Sequence, residues 1–340
     1  MNLAIAQAKL GTGQTSPNPT VGAVIVHGGE VISSGYHAKA GTPHAERVAI
    51  ANAELVGFDQ WSSSTLYVTL EPCSTHGRTG ACTTAITERK FARVVYGSVD
   101  PNPDHVGNAD TVLKEAGIPV TSRVLESDCD YLIRGFSKVQ RKGFPWVAIK
   151  SAMSLDGKIT RPVGEGQWLT SEDSRIIVHQ IRSEVDAIIT GGNTLRADNP
   201  TLTVRLPDRD DSLRQPLRIV FTRDVTTLPK GSILLQDDQT FIYETPDSES
   251  IEQALRDLAK NHGVNTVLLE AGGGLMGTFF DAALIDEVAF FYAPILTGGV
   301  TSAVAGCGSS TLSESLKLRR IQYTKIGNDF LMRGVIANDS

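Results

Sequence analysis

Four cysteines in 340 residues (Cys73, Cys82, Cys129 and Cys307) are too few for a disulfide scaffold in a chain of this length. No apolar run reaches the roughly 18 residues needed to span a bilayer, so a membrane protein is excluded as a reading. Residues 1–10 lack a basic stretch followed by a continuous apolar segment and do not read as a signal peptide; the expected location is cytoplasmic. Basic charge is scarce too. Lys and Arg number 32 against 38 Asp and Glu, a net charge of −6, and no stretch concentrates positive residues as a phosphate-backbone reader would. Extended nucleic-acid binding is therefore disfavoured. Internal repeats and low-complexity tracts are likewise missing.

What is present is ordinary for a folded enzyme: 41% hydrophobic and 21% charged residues, with 32 Gly and 15 Pro. At about 150 residues per domain the length suggests two domains. Strand patterns at 21–27 and 31–36 flank Gly28-Gly29, a hairpin signal, and a helical pattern covers 45–56. Strands follow at 65–70 and 93–96, with helices at 81–90, 109–116 and 125–139, which together make an α/β layered domain. Arg141-Lys142-Gly143-Phe144-Pro145 ends the last helix, because Gly and Pro are poor in helix interiors. The domains are accordingly drawn at 1–142 and 145–340. In the second, strands are predicted at 146–151, 187–190, 217–221, 240–243, 266–269 and 288–294, and helices at 171–184, 250–261 and 275–283, a second α/β unit.

The first domain carries a metal pattern. His44-Ala45-Glu46 opens a helix, Glu71-Pro72-Cys73 follows a β-rich run, and Cys82 stands nine positions beyond Cys73. One imidazole and two thiolates are three ligands, and catalytic zinc leaves its fourth tetrahedral position to water. Zn²⁺ lowers the pKa of that water towards about 7, and Glu46 is placed to move protons instead of binding the metal. Nucleobase deaminases use this H-x-E and P-C arrangement. Each piece alone is commonly structural; their order and combination favour zinc deamination. The spacing between the cysteines is longer than the usual two residues.

That longer segment, Pro72 to Cys82 with Arg78 inside it, resembles the bifunctional deaminase/reductase family of riboflavin biosynthesis. Pro17-Asn18-Pro19-Thr20-Val21-Gly22, Gly35-Tyr36-His37 and Asp100-Pro101-Asn102-Pro103 match as well. The resemblance spans nearly the whole chain. It implies a cytidine-deaminase-like α/β/α domain followed by a dihydrofolate-reductase-like α/β domain, with Zn²⁺ and NADPH as cofactors and a pyrimidine ribose phosphate as substrate. It further implies that Asn18, His37, Arg78, Asp100 and Asn102 hold the pyrimidine and its ribose phosphate. The family often has His where Thr75 and Val48 stand, and a substrate-contacting Ser at the position of Gly166. A homo-oligomer is expected.

In the second domain a β-rich run ends in Glu270, and Gly272-Gly273-Gly274-Leu275-Met276-Gly277 opens a helix, a G-x-G-x-x-G pattern that lets backbone approach phosphate. A plain glycine turn is the competing reading. The segments from Lys150 to Lys158, Gln167 to Ser171 and Ala197 to Arg205 resemble the family's reductase domain. By that resemblance Ala152, Trp168, Thr194, Asp198 and the loop glycines Gly272, Gly273, Gly274 and Gly277 contact NADPH, while Lys150, Arg182, Leu202, Arg205 and Glu270 contact the sugar phosphate. The competing readings make Trp168 a core aromatic, Asp198 a turn residue, and Arg175 with Arg182 a solvated helix face. Arg223, just after the strand at 217–221, is a candidate for binding the 2′-phosphate that separates NADPH from NADH.

The leading expectation is hydrolytic deamination of 2,5-diamino-6-(5-phosphoribosylamino)pyrimidin-4(3H)-one, then NADPH-dependent reduction of the ribosyl group of 5-amino-6-(5-phosphoribosylamino)uracil to ribityl. Two rivals are a nucleoside or tRNA deaminase with a binding-only second domain, and a zinc-stapled binding module without catalysis. The acidic balance argues against the first; the second has no use for Glu46.

Overall fold

The structure, a computed structural model, describes residues 1–74, 80–103, 105–159, 168–207, 210, 212–245 and 247–337. It divides into two compact units, Met1–Gly143 and Phe144–Ser340.

Unit 1 runs α1 (Asn2–Lys9), β1 (Gly22–His27), β2 (Glu30–Tyr36), α2 (Ala45–Leu55), β3 (Ser64–Leu70), α3 (Cys82–Arg89), β4 (Arg93–Ser98), α4 (Asn108–Glu115), β5 (Val120–Thr121), α5 (Glu126–Leu132) and α6 (Arg134–Lys142). The strands form one sheet ordered β2-β1-β3-β4-β5. β1 is antiparallel to both β2 and β3, and β3, β4 and β5 are parallel. The β1–β2 turn needs positive φ at both central residues to match strand twist, and Gly28 (57°) and Gly29 (87°) supply it. α2 buries Ala45, Ala49, Ile50 and Ala53, which fall on one helical face. That face lies almost on the sheet backbone: a Cβ added to Gly35 of β2 would stand 2.6 Å from the Ala49 nitrogen and 2.7 Å from the Ala45 oxygen. Small residues on both partners therefore fix where α2 begins, and with it the preceding His44. Ile25, Leu66 and Ile86 are fully buried in the same core; burying such a side chain stabilises by about 1.5–3 kcal/mol.

Unit 2 runs β6 (Trp146–Ser154), α7 (Glu172–Ser183), β7 (Ala187–Gly191), α8 (Gly192–Asp198), β8 (Leu217–Thr222), β9 (Thr240–Glu244), α9 (Ser248–His262), β10 (Thr266–Leu269), α10 (Gly273–Asp281), β11 (Glu287–Ala293), β12 (Leu318–Ile326) and β13 (Asp329–Ile336). Its sheet is ordered β12-β13-β11-β6-β10-β7-β8-β9. The stretch from β11 to β9 is parallel, and β13 pairs antiparallel with both β11 and β12. Every residue of β7 is buried, as a parallel strand covered on both faces should be. Its side chains alternate: Ala187 and Ile189 join the core made with α9 and α10, while Ile188 joins the core made with α7 and Leu202. Helix ends are secured by side chains. Ser171 accepts the Ser174 amide at the start of α7, the Asp329 carboxylate accepts the Ser171 amide and both serine hydroxyls, and Asp247 with Ser250 forms a capping box on α9.

One expectation is corrected, and other elements were not anticipated. The helix predicted over 125–139 is two helices, broken at Ile133 (φ −102°, ψ 13°). The β12–β13 hairpin was not anticipated, because β12 is exposed along most of its length and its sequence lacks the apolar alternation of a half-buried strand. α8 was also missed, being a single short helix directly continuing β7.

Candidate active sites

In unit 1, His44 is the extended N-cap of α2 (φ −70°, ψ 158°) and Cys82 is the first residue of α3, so two helix starts present two of the three ligand candidates. Cys73 comes from the segment just after β3. The His44 Nδ1 lies 3.5 Å from the Cys73 sulfur and 3.4 Å from the Cys82 sulfur, and the three donor atoms lie within 4.8 Å of one another. Zinc bonds of about 2.3 Å to sulfur and 2.0–2.1 Å to nitrogen at a tetrahedral angle place N and S about 3.6 Å apart. The donor set fits that ion.

Glu46 is 3% exposed, and burial followed by the Cys73 charge pushes its carboxyl up to about 7. The Cys73 thiol is pushed down to about 4, first by a hydrogen bond from Cys82 and further by His44, while the Cys82 thiol is raised by that same bond and by burial. Thiolate character at Cys73 is the form a metal needs.

His44, Glu46 and Cys73 border a cavity of about 210 Å³ whose walls also include Asn18, His37 and Asp100. His37 is buried with a lowered pKa, burial being the main cause. Its Nδ1 faces the Pro43 carbonyl at 3.1 Å, which only accepts, so Nδ1 carries the proton and Nε2 accepts from the Asn18 amide at 3.0 Å. That tautomer leaves the Asn18 carbonyl oxygen for other partners. Asp100 Oδ1 accepts the Asn102 amide at 2.9 Å, a turn that fixes Asp100 against the cavity. Asn102 is tied to the site through this bond. Arg78 and Thr75 lie outside the described residues.

Two wall residues were not singled out by sequence reasoning. Phe136 of α6 joins Val21 and Leu70 as apolar lining, a surface suited to a planar ring. No local signal distinguishes this phenylalanine. Glu71, buried directly after β3, accepts the backbone N–H groups of Asp100, Gly107 and Ala109. Its place in Glu71-Pro72-Cys73 was the available clue.

In unit 2 a second cluster centres on Glu270, immediately after β10. Arg182 of α7 grips it with Nε at 2.6 Å and Nη2 at 3.0 Å, and the Lys150 Nζ lies 3.4 Å away. Burial alone would raise the Glu270 carboxyl, but the Arg182 and Lys150 charges overcome it and hold the group at about 2. Arg182 also donates to the Thr203 carbonyl at 3.2 Å, and Arg205 donates to the hydroxyls of Thr201 and Thr203. The Arg205 amide is accepted by His179, whose pKa is pushed down to about 4 by burial and by Arg182 and Arg205. Three cations against one carboxylate leave positive charge over for a phosphate. Leu202 is buried in the core with φ 50°, so its backbone is what it can present to a ligand. Arg182 is thus part of a buried ion pair and does not belong to a solvated helix face.

The cofactor candidates lie around the ends of β6, β7 and β10, the side where open α/β sheets hold ligands. Thr194 of α8 accepts the Gly272 amide at 3.2 Å, and Thr190 donates to the Glu270 carbonyl, joining the β7 end to the glycine turn. Gly272 caps α10 without a capping side chain, so first-turn amides can meet an anion. The four glycines differ, however. A Cβ at Gly274 would meet nothing within 4 Å, and at Gly272 only the Thr194 hydroxyl at 3.9 Å. At Gly273 it would strike the Ser302 oxygen at 2.1 Å, and at Gly277 the Ala305 backbone at 2.4 Å. The last two are small because the 302–306 segment packs on them. Trp168 is 62% exposed with the Arg175 guanidinium 5.5 Å from its ring centre, which overturns its reading as a core aromatic. Ala152 is half-buried on β6, Asp198 ends α8 at the surface, and Arg223 is exposed just beyond β8. Gly166 lies outside the described residues. The open glycine turn and the exposed tryptophan suit a dinucleotide such as NADPH.

Among family models, the cytidine and deoxycytidylate deaminase zinc-binding region matches residues 1–98 and the RibD C-terminal domain matches residues 145–332. The chain is 36% identical to the riboflavin biosynthesis protein RibD of Bacillus amyloliquefaciens, over 98% of this chain and 95% of that protein. It superposes on Acinetobacter baumannii RibD with a TM-score of 0.88 at 33% identity, covering 99% of this chain and 98% of the other. A Thermotoga maritima structure described as a diaminohydroxyphosphoribosylaminopyrimidine deaminase/5-amino-6-(5-phosphoribosylamino)uracil reductase superposes with a TM-score of 0.85 at 32% identity, covering 99% and 97%.

Proposed function

The chain belongs to the RibD family of riboflavin biosynthesis proteins, and from that premise we propose how its two sites divide the work of a bifunctional deaminase/reductase. Unit 1 deaminates 2,5-diamino-6-(5-phosphoribosylamino)pyrimidin-4(3H)-one. Unit 2 reduces the ribosyl group of the resulting 5-amino-6-(5-phosphoribosylamino)uracil to ribityl. The observation that carries the reading is the convergence of His44, Cys73 and Cys82, with His44, Cys73 and the buried Glu46 lining one cavity.

Zinc, when bound by His44, Cys73 and Cys82, makes a water reactive at neutral pH. The pyrimidine lies against Phe136, Val21 and Leu70, with Asn18, His37 and Asp100 meeting its polar edge. Glu46 accepts a proton from the attacking water at a carboxylate oxygen and delivers it to the departing amino group. The new C–O bond replaces the C–N bond, ammonia leaves, and the water's other proton settles on a ring nitrogen as the uracil forms.

In unit 2, Arg205 and the positive surplus around Arg182 and Lys150 hold the phosphate, and Glu270 keeps those cations in register. NADPH, when bound along the α10 turn and Trp168, supplies the reducing equivalents. The C1′–O bond of the ribosyl ring breaks, C1′ becomes CH₂ with the hydride that NADPH would supply, and the freed oxygen takes a proton from solvent to become a hydroxyl.

No helix among the described residues is long and apolar enough to cross a membrane. We read the protein as cytoplasmic, because four free cysteines suit a reducing compartment. We also read it as a homo-oligomer: β12 is an exposed edge strand carrying Ile321 and Tyr323, and a second copy would cover it. Sedimentation showing only monomer at micromolar concentration would reject that part.

Ammonia release and NADPH oxidation, followed on the purified chain with the diaminopyrimidine phosphate, test the main reading. Both are expected, with NADPH oxidation lagging behind ammonia release. Ammonia release from tRNA or free nucleosides, and none from the diaminopyrimidine phosphate, would overturn it.

A further inference from the structure

Glu71 takes no part in the chemistry described above, although it is 4% exposed and borders the same cavity. Its carboxylate is occupied by backbone. Oε2 accepts the Asp100 amide at 3.2 Å and the Gly107 amide at 3.1 Å, and Oε1 accepts the Ala109 amide at 3.1 Å. These three donors bracket the connection from β4 to α4. Asp100 stands at its beginning, Gly107 is the N-cap of α4, and Ala109 lies in that helix's first turn.

The sequence explains why an outside acceptor is required. The N-cap of α4 is a glycine with φ 74°, which brings no side chain to the first-turn amides. Buried amides without acceptors cost free energy, and a carboxylate at a helix start is favoured by the helix dipole as well. A capping residue placed next door in sequence would serve the helix equally well. Glu71, however, comes from the end of β3, two residues before Cys73, and it binds the Asp100 amide with the same oxygen that binds Gly107. One side chain therefore ties together the strand leading to a metal-ligand candidate, the start of α4, and the backbone of Asp100. Asp100 in turn fixes Asn102 through its Oδ1.

We propose that Glu71 is a positioning residue for the deaminase: by gathering the amides of Asp100, Gly107 and Ala109 it holds Asp100 at the substrate cavity, and with it the Asn102 backbone bonded to Asp100. This rests on the deaminase reading of unit 1 and deepens it. Glu71 acts through Asp100 and Asn102, so its effect falls on substrate binding more than on the water-activating groups. An isosteric amide keeps one acceptor oxygen and presents an N–H₂ group to the other amides, which breaks the arrangement with little change of volume.

The experiment uses the full chain with Glu71→Gln and, as a milder variant, Glu71→Asp, which keeps the charge on a shorter arm. Zinc per chain, ammonia-release kinetics and amide hydrogen exchange over residues 99–110 are measured together. For Glu71→Gln the expected result is unchanged zinc, faster exchange in that segment, and a KM for the diaminopyrimidine phosphate raised tenfold or more with kcat altered less than threefold. Glu71→Asp should fall between it and the unaltered protein. Unchanged KM despite faster exchange would overturn the proposal, as would unchanged exchange. Loss of zinc or of folding in both variants would also overturn it, by making Glu71 a general structural residue. If the unaltered protein releases no ammonia from this substrate, the deaminase reading and the proposal's kinetic arm fail together, while the exchange arm still decides the loop-ordering claim on its own.

Discussion

Replacing Glu270 with Gln should destabilise unit 2 by an amount that depends on pH in a defined way. Held at about 2 instead of its ordinary 4.5, the Glu270 carboxyl contributes roughly 3 kcal/mol at neutral pH. Arg182 and Lys150 are 12% and 15% exposed, so removing their carboxylate leaves two poorly solvated cations; breaking a buried pair from one side costs about 3–5 kcal/mol. Both routes put the loss for Glu270→Gln near 3 kcal/mol at pH 7. Because the folded pKa is depressed, the stabilisation is fully present above pH 4.5 and fades as pH falls towards 2. By pH 3 roughly 2 of the 3 kcal/mol should be gone. Urea denaturation followed by tryptophan fluorescence suits the measurement, since Trp146 and Trp168 belong to unit 2 and only Trp61 to unit 1. The quantity to compare is the gap between the two proteins at pH 7, 5, 4 and 3. A gap below about 1 kcal/mol at pH 7, or one that stays constant down to pH 3, would refute the claim that the charge on Glu270 stabilises the fold.

Cys82→Ala should lose most bound zinc by metal analysis, whereas Glu46→Gln should keep it and lose most ammonia release, because an amide cannot accept the water's proton. Reduction of supplied 5-amino-6-(5-phosphoribosylamino)uracil should survive Glu46→Gln nearly intact, and parallel loss of both activities in folded protein would contradict the division of labour. Gly277→Ala should cost about 1–3 kcal/mol of stability through the Ala305 clash, while Gly274→Ala should leave stability unchanged and raise the KM for NADPH; thermal melts and cofactor titrations separate them. Arg223→Ala should raise the KM for NADPH about tenfold, on the order of 1.5–3 kcal/mol for a charge-assisted hydrogen bond, without affecting NADH; equal changes would move cofactor discrimination elsewhere.

The parts of this protein legible in its sequence are those in which one residue type has one plausible task. A histidine, a glutamate and two cysteines at fixed places around a strand and two helices announce a metal centre before any coordinates, because few other arrangements need both thiolate and imidazole. The central strands were equally plain, their apolar runs being long enough to demand burial on both faces. Glu71 and Phe136 were not legible, since their roles arise from elements that meet only in the folded unit: β3 with the start of α4, and α6 with the cavity. The glycine pattern has a second cause. Its spacing matches a phosphate turn, yet Gly273 and Gly277 are held small by the 302–306 backbone, a contact that no local pattern encodes. β12 escaped notice for the opposite reason, since an exposed edge strand has no apolar periodicity to detect.

The two units place an acid in the same structural position and use it differently. Glu71 directly follows β3 and Glu270 directly follows β10, each at the C-terminal end of an interior strand. Such strand ends gather backbone and side chains from several elements, so a buried carboxylate there can bind groups far apart in sequence. Glu71 spends its acceptors on neutral amides, and what it fixes is geometry: the path from β4 into α4 and the position of Asp100. Glu270 binds two cations, and what it fixes is charge, pairing Lys150 and Arg182 and holding both toward one region. The distinction makes the two glutamates respond differently to the same chemical change. Replacing Glu71 with glutamine turns one of its two acceptor oxygens into a donor facing the backbone amides, and neutralising Glu270 removes the counter-charge that its cations require. The first effect should be felt in loop exchange and substrate KM, whereas the second should be felt in global stability and its slope against pH.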